Sequence, residues 1–433
     1  MYCQLEVLRH CFPSSVRRIL EELPESLDET YERILREIRK PNQGHAHRLL
    51  QCLVAAVRPL QVKELAEILA FDFHTGGIPK LNLGWRWEDQ EEAVMSACSS
   101  LVMIVQDGDS RVVQFSHFSV KEFLTAERLG EPIRDISGFH IRLDAAHTIL
   151  VRACLGLLLH LDDRIDRDSI ENFPLARYAA QYWATHARIE NVSSQIKDGM
   201  ECLFDADKPH FMTWLWIYNE NQWGHFSSMK TMRPEKPKAV PLYHAARFGF
   251  CDLAEHLIAE HPEHVNARSG EGSTPMYIAA SEGHSDILLL LIERGADVDD
   301  RNEDGNTPLH RASRNGRLEA VQLLLDRGAD IDVQNNFNNS VLVYAMFGGH
   351  AEIARMLLDR GAMTDVQGQF GQTPLHLAAI SGRTDIVRLL LERGADAHVR
   401  DENGETPSEL GSRRGHHELV KLLTEYCAKS VEK

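Results

Sequence analysis

A step of 33 residues recurs through the C-terminal half of this 433-residue chain and limits its possible folds more than any other feature. Glycines fall at 295, 328, 361 and 394, in GADVDD, GADIDV, GAMTDV and GADAHV. A second series runs Gly272, Gly305, Asn338, Gly371 and Gly404, and opens STPMYIA, NTPLHRA, NSVLVYA, QTPLHLA and ETPSELG. Self-similarity at this period denotes stacked supersecondary units rather than one closed core. The residues of each unit dictate two helices. Thr307 or Thr373 can cap the first by accepting a backbone N–H. Pro308 and Pro374 follow at the first helical position, where no N–H is needed. Gly316 and Gly382 end that helix, where a left-handed residue is required. The second helix carries VQLLL (321–325) or VRLLL (387–391), an apolar stripe that one unit cannot bury alone. Stability must therefore be collective.

Period and TPLH-like opening together resemble the ankyrin repeat. Six units are expected: 238–271, 272–304, 305–337, 338–370, 371–403 and 404–433, the first with an extra residue and the last cut short. The fourth departs from the pattern, with Asn338 for Gly, Val341 for Pro and Val343 for His, although Ser340 keeps the cap. It is expected to be the weakest inner unit. The sixth has Ser408 where others carry Leu or Met, then SRRGHHELVKLL, a polar surface suited to a terminal cap.

The first half is built differently, and all six tryptophans (85, 87, 183, 214, 216, 223) lie in it. SLDETYERILREI (26–38) reads as a helix with a Ser26/Glu29 capping box. HRLLQCLVAAV (47–57) and, after a turn at Arg58-Pro59, VKELAEILA (62–70) read as two more, and EEAVMSACSS (91–100) as a fourth. LVMIV (101–105) and RVVQF (111–115) around QDGDS predict a hairpin; SVKEFLTAE (119–127) returns to helix. Three helices followed by a hairpin is the order of a winged helix. Residues 139–223 are expected to be mostly helical, and 223–238 a Ser-, Pro- and Lys-containing linker. The expected fold is mostly α: a helical segment (1–43), a winged-helix-like domain (44–130), a helical segment with linker (131–237), and an ankyrin α-solenoid (238–433).

Charge and cysteine content narrow the functions. Lys+Arg is 47 against Asp+Glu 64, a net charge of −17. Residues 1–237 contribute 27 − 34 = −7 and residues 238–433 contribute 20 − 30 = −10. A phosphate-gripping protein needs a basic face, and residues 88–100, ahead of the hairpin, hold four acidic residues and no basic one. No nucleic-acid partner is expected. The eight scattered cysteines form no CxxC pair, so neither a zinc site nor a disulfide framework is indicated. The most apolar run, TILVRACLGLLLHL (148–161), is too short to span a bilayer and carries Arg152. No membrane partner is expected, and the compartment read from the sequence is the cytoplasm.

LPESLDETYERIL (23–35), RPLQVKELAEIL (58–69), CSSLV (98–102), FSHFSVKEFL (115–124) and FPLARYAAQYWATHA (173–187) resemble the region after the NTPase core of fungal NACHT–ankyrin proteins, which are STAND-type, NLR-like signalling proteins. The resemblance implies a winged helix and helical segment that hold a nucleotide switch shut, and repeats that recognise something. It also implies a nucleotide-sensing role for His117. The sequence holds no GxxxxGK[ST] and no Gly-Lys pair, so the phosphate-cradling loop is missing and nucleotide hydrolysis is not expected. On this reading the chain starts after the family's NTPase core.

No GxSxG or HExxH occurs. Glu255-His256 with His261, and His416-His417-Glu418, match no zincin spacing. No catalytic, metal or cofactor residue is expected. The candidate site is the face formed by hairpin tips and the exposed side of the first helices. Phe337, Phe347, Phe370 and Ile380 would form its apolar centre. Glu303 and Asp304, with Glu271, would flank one end, and Arg314, Arg413 and Arg414 would supply basic groups. Large apolar anchors inside a polar rim are what a protein-binding site needs. The function expected is protein–protein recognition by an adaptor of NLR-like type. Two rival readings are the regulatory part of a nucleotide-switched protein and a transcriptional regulator using the winged helix. Leu242, Tyr243, Leu253 and Leu257 are expected to pack on the Trp-rich helices.

Overall fold

The computed structural model describes residues 26–74, 76–130, 136–223, 239–269 and 272–431. The N-terminal 25 residues, the linker cations Lys230, Arg233, Lys236 and Lys238, and Glu271 lie outside the described residues. Contacts divide the chain into two compact units, Met1–Lys236 and Pro237–Lys433.

In the first unit α1 (Leu27–Glu37) is capped by Ser26, whose hydroxyl accepts from the Glu29 N–H at 3.2 Å. Its Tyr31, Ile34 and Leu35 are buried. Helix α2 (Lys40–Ala55) starts seven residues before the expected 47. Its first turns, KPNQGHA, are polar and hold a proline, which a helix tolerates in its first turn; the apolar stripe shows only from Leu49. Strand β1 (Leu60–Gln61) follows, where only a turn was expected. It pairs with β5 (Ser110–Phe115), Leu60 opposite Val113, and completes the sheet order β1-β5-β4 with β4 (Val102–Asp107). Two residues are too few to show strand alternation. Between these strands lie α3 (Val62–Glu67), a 3-10 turn (Ile68–Ala70), a ribbon of β2 (Phe71–Asp72) and β3 (Lys80–Leu81), and α4 (Gln90–Cys98). Helices α2, α3 and α4 with the sheet make the winged helix, and α5 (Phe118–Thr125) leaves it.

Helices α6 (Leu143–Leu158), α7 (Ala176–Ala187), α8 (Lys197–Phe204) and α9 (Pro209–Trp223) follow. Their core is aromatic: Trp183, Phe204, Phe211 and Trp214 have ring centroids 5.4 to 6.1 Å apart. The Trp214 indole N–H donates to the Ala180 carbonyl at 3.0 Å. Helix α6 packs against both α2 and α7. Polar side chains join the winged helix to this segment. Buried Glu67 accepts the Leu175 N–H at 2.7 Å and pairs with Arg86. Arg58 holds Glu64 at 2.6 and 2.8 Å and lies over the Tyr178 ring.

The second unit is six helix pairs: α10 (Pro241–Phe248) and α11 (Cys251–Glu260); α12 (Pro275–Glu282) and α13 (Ser285–Glu293); α14 (Pro308–Arg314) and α15 (Leu318–Asp326); α16 (Val341–Gly348) and α17 (Ala351–Asp359); α18 (Pro374–Ile380) and α19 (Thr384–Glu392); α20 (Pro407–Arg413) and α21 (His417–Val431). First helices stack on first helices and second on second, which buries the Leu stripes. The hydroxyls of Thr274, Thr307, Ser340 and Thr406 accept N–H groups three residues on, at 3.3 to 3.4 Å. Asn338 holds φ 58° at the turn position where the other units have glycine, a conformation asparagine tolerates better than other side chains. One glycine is set by a neighbour: a Cβ on Gly348 would lie 2.1 Å from the Arg314 carbonyl oxygen, so α14 and α16 approach more closely than any side chain would allow.

Candidate functional site

Seven residues into each first helix, the repeat register aligns Arg247, Ser281, Arg314, Phe347, Ile380 and Arg413. Over the first four helix pairs this face is hollowed into a groove of about 640 Å³, reaching from Tyr243 to Gln369. Tyr277 and Tyr344 stand in its wall with Arg311, Arg314, Phe337 and Phe347, and Asp304 is its acidic member.

The groove is shaped by an asparagine-rich network that joins the units. Buried Asn335 donates to the Asn306 side-chain oxygen at 2.8 Å and to the Tyr344 hydroxyl at 3.0 Å. Its own oxygen accepts the Phe337 and Asn339 N–H groups at 2.9 and 3.0 Å. His310, fully buried, accepts the Thr307 N–H at Nδ1 (3.2 Å), so Nε2 carries the proton and donates to the Asn339 carbonyl at 3.1 Å. Burial lowers its pKa to about 4. Its ring meets Tyr344 edge-on at 5.1 Å. Tyr344 in turn lies 6.1 Å from Phe347 and beneath the Arg314 guanidinium at 5.8 Å. The tyrosines are nearly buried, whereas Phe337 and Phe347 are 46% and 52% exposed. The sequence reading named the exposed phenylalanines and missed Tyr277, Tyr344 and Arg311. Their aromatic and basic types at the third, fourth and fourth positions of successive first helices were the signal available.

The structure brings Phe337, Phe347, Arg314 and Asp304 together in this groove. It places the other named residues elsewhere. Ile380 is half-buried rather than exposed, and its carbonyl accepts from His416 Nε2 at 3.2 Å. Phe370 is 56% exposed at its hairpin tip but is not the conformational twin of Phe337. It sits at φ 64°, followed by Gly371 at φ 70°, whereas Phe337 precedes Asn338 without a left-handed value of its own. Glu303 lies beside the Gly272 turn. Arg413 is paired with Glu405, and Arg414 is exposed.

His117 caps α5: its Nδ1 accepts the Ser119 N–H at 3.3 Å and lies 2.7 Å from the Ser119 hydroxyl, which reaches the Tyr31 hydroxyl at 2.8 Å. Phe118 beside it is 71% exposed. Around α4 and the wing, a second hollow is lined by Glu88, Asp89, Glu91 and Asp109, with Lys63 and Arg111; Arg111 pairs with Glu91. His261 is the residue closing α11 rather than part of it. With Glu263 and His264 it brings three potential metal-ligand atoms within 4.8 Å of one another, a cluster the sequence reading overlooked. The His261–Glu263 contact of 3.2 Å accounts for the cluster as a surface hydrogen-bonded pair. Among the described residues no helix is long and apolar enough to cross a membrane.

Comparison with known proteins bears on both units. Residues 242–335 and 342–433 match the family described as ankyrin repeats (3 copies), and residues 315–358 match ankyrin repeats (many copies). Residues 31–142 match the GPI inositol-deacylase winged helix domain. The azaphilone pigments biosynthesis cluster protein L of Monascus ruber is 32% identical over 293 residues, 64% of this chain and 61% of the relative. Ankyrin repeat and SAM domain-containing protein 6 of Mus musculus is 34% identical over 76 residues, 17% of this chain and 9% of the relative. Alpha-latrocrustotoxin-Lt1a of Latrodectus tredecimguttatus is 42% identical over 57 residues, 13% of this chain and 4% of the relative. The chain thus spans less than two thirds of the length of each. It carries a winged helix of the GPI-inositol-deacylase type ahead of C-terminal ankyrin repeats.

Proposed function

We propose that this protein is a non-catalytic recognition protein that holds a protein partner in the groove along the first helices of its ankyrin repeats. The observation that carries this reading is the groove itself: exposed Phe337 and Phe347 beside Arg314 and near-buried tyrosines, in one continuous hollow. Aromatic and arginine side chains in a concave setting are the residue types that dominate binding energy. Ankyrin repeats are protein-binding architecture in general, and this chain's repeats fit that use.

The winged helix serves in this account as a structural module of an NLR-like, NACHT-associated adaptor. The motifs that resemble those proteins pack on one another: Arg58 over Tyr178, Glu67 on the Leu175 N–H, and Tyr31 on Ser119. The helix ahead of the wing is flanked by Glu88, Asp89, Glu91 and Glu92, which a nucleic-acid backbone would repel. His117 is spoken for by the α5 cap.

A photo-crosslinking amino acid at position 347 of the full chain, expressed in its own cells, tests the reading. A discrete crosslinked protein is expected from position 347 and not from Arg355, exposed on the second helix of the same unit. Equal labelling from both positions, or turnover of a nucleoside triphosphate by the purified chain, would contradict it.

A further inference from the structure

The charge of the groove runs against that of the unit that contains it. Residues 238–433 carry 20 basic and 30 acidic side chains. Yet the ionisable side chains in the groove, tyrosines aside, are Arg311, Arg314 and Asp304, a small positive excess in an acidic body. Seven of the sixteen arginines of residues 238–433 pair with an Asp or Glu among the described residues, Arg268, Arg294, Arg317, Arg360 and Arg393 among them. Among the described residues, Arg311 and Arg314 have no carboxylate within ion-pair distance. Arg311 donates to the Ser281 hydroxyl at 3.4 Å, and Arg314 lies over the Tyr344 ring. A guanidinium held on an aromatic face keeps its outward N–H donors available and is the side chain best suited to a planar carboxylate. Apolar contact surface stands next to it, in the exposed rings of Phe337 and Phe347.

We propose that the groove takes an extended protein segment presenting an Asp or Glu beside an aromatic or large aliphatic side chain. The carboxylate pairs with Arg311 and Arg314, and the apolar neighbour lies against Phe337 and Phe347. This rests on the reading of the groove as the partner site and adds the partner's chemistry. Two features give the chemistry its direction. The negative field of the surrounding array disfavours an acidic segment everywhere except over the paired arginines, so the carboxylate fixes the register of the bound segment. Asp304 at the same groove disfavours a second carboxylate next to the first, so a single acid flanked by apolar residues fits better than an acidic run.

Panning the full chain against a random linear-peptide display library tests this. The selected peptides are expected to share one Asp or Glu next to Phe, Tyr, Trp or Leu. Their affinity is expected to fall at least about tenfold in R311Q/R314Q. Selection repeated on R311E/R314E is expected to return peptides with Lys or Arg at the acid position, a reversal that loss of folding could not produce. Should that variant melt early, the salt dependence of wild-type binding replaces it: affinity is expected to drop as ionic strength rises, and salt-independent binding overturns the proposal. Peptides that lose binding in F347S but share no acid overturn the partner chemistry and leave the groove reading standing. If no selected peptide depends on Phe337 or Phe347, both fail.

Discussion

His310 and His376 show how one residue type can serve both a helix cap and a joint between repeats. Each accepts its capping threonine's N–H at Nδ1, at 3.2 and 3.1 Å, and donates from Nε2 to a carbonyl of the next unit, Asn339 or Glu405. Replacing His310 with Ala leaves the buried Thr307 N–H without its imidazole acceptor, takes one of two donors from the Asn339 carbonyl, which keeps the Asn335 N–H, and opens a cavity. The expected loss is about 2–4 kcal/mol, read by urea denaturation. The geometry requires neutral imidazole, since a proton at Nδ1 would face the threonine N–H. Burial accordingly lowers the pKa of His310 to about 4 and those of His244 and His186 to about 3, from 6.5. Their folded values lie below their unfolded ones, so the unfolded chain binds more protons between these limits. Stability is complete above about pH 6.5 and falls as pH drops from 6.5 toward 3–4. Thermal melts across that range should show a steady loss, with a shallower slope in H310Q; a melting temperature flat from pH 7 to pH 4 would refute the assignment. The capping threonines, their prolines and the turn glycines could be read from residue type and spacing. The Asn306–Asn335–Tyr344 network could not, because asparagine in a repeat turn reads as a surface residue until its partners are placed.

Helices and strands repeat the lesson one level up. The Leu stripes and the hairpin of the wing were legible because periodicity runs over several residues. Strand β1 and the β2–β3 ribbon were not, because two-residue strands carry no period and exist only through their partners. Two tight places make predictions at this scale. Phe370 holds φ 64° with its ring 56% exposed, a conformation that costs a bulky residue about 1–2 kcal/mol. F370G is expected to raise stability by up to about 1 kcal/mol in equilibrium unfolding, after the extra freedom glycine gives the unfolded chain is deducted. G348A has the opposite sign. Its methyl would meet the Arg314 carbonyl at 2.1 Å, forcing α14 and α16 apart at an expected cost of about 1–3 kcal/mol. That separation should also weaken binding in the groove, since Arg314 and Phe347 lie on these two helices. A G348A protein as stable as wild type would show that the units are less closely apposed than described.

At the scale of the molecule, the division into a winged-helix and helical unit and a repeat unit separates a module held by buried polar joints from one that presents a hollow surface. The sequence pointed to the second unit's exposed phenylalanines but scattered its candidate site over more of the array than the groove occupies. Spacing locates a residue on the face of a repeat, but the depth of that face depends on how closely neighbouring units approach. Arg413 was named for its charge, which Glu405 in the same unit already answers; Ile380 was named for its size, much of which its own array covers. The central claim is that partner recognition occurs along the first helices of the second to fourth helix pairs. Hydrogen exchange of the full chain, with and without the protein captured at position 347, measures this most directly. Slowed exchange is predicted for the turns and first helices between residues 273 and 349; slowing confined to the wing at 102–115, or to the second helices, would contradict it.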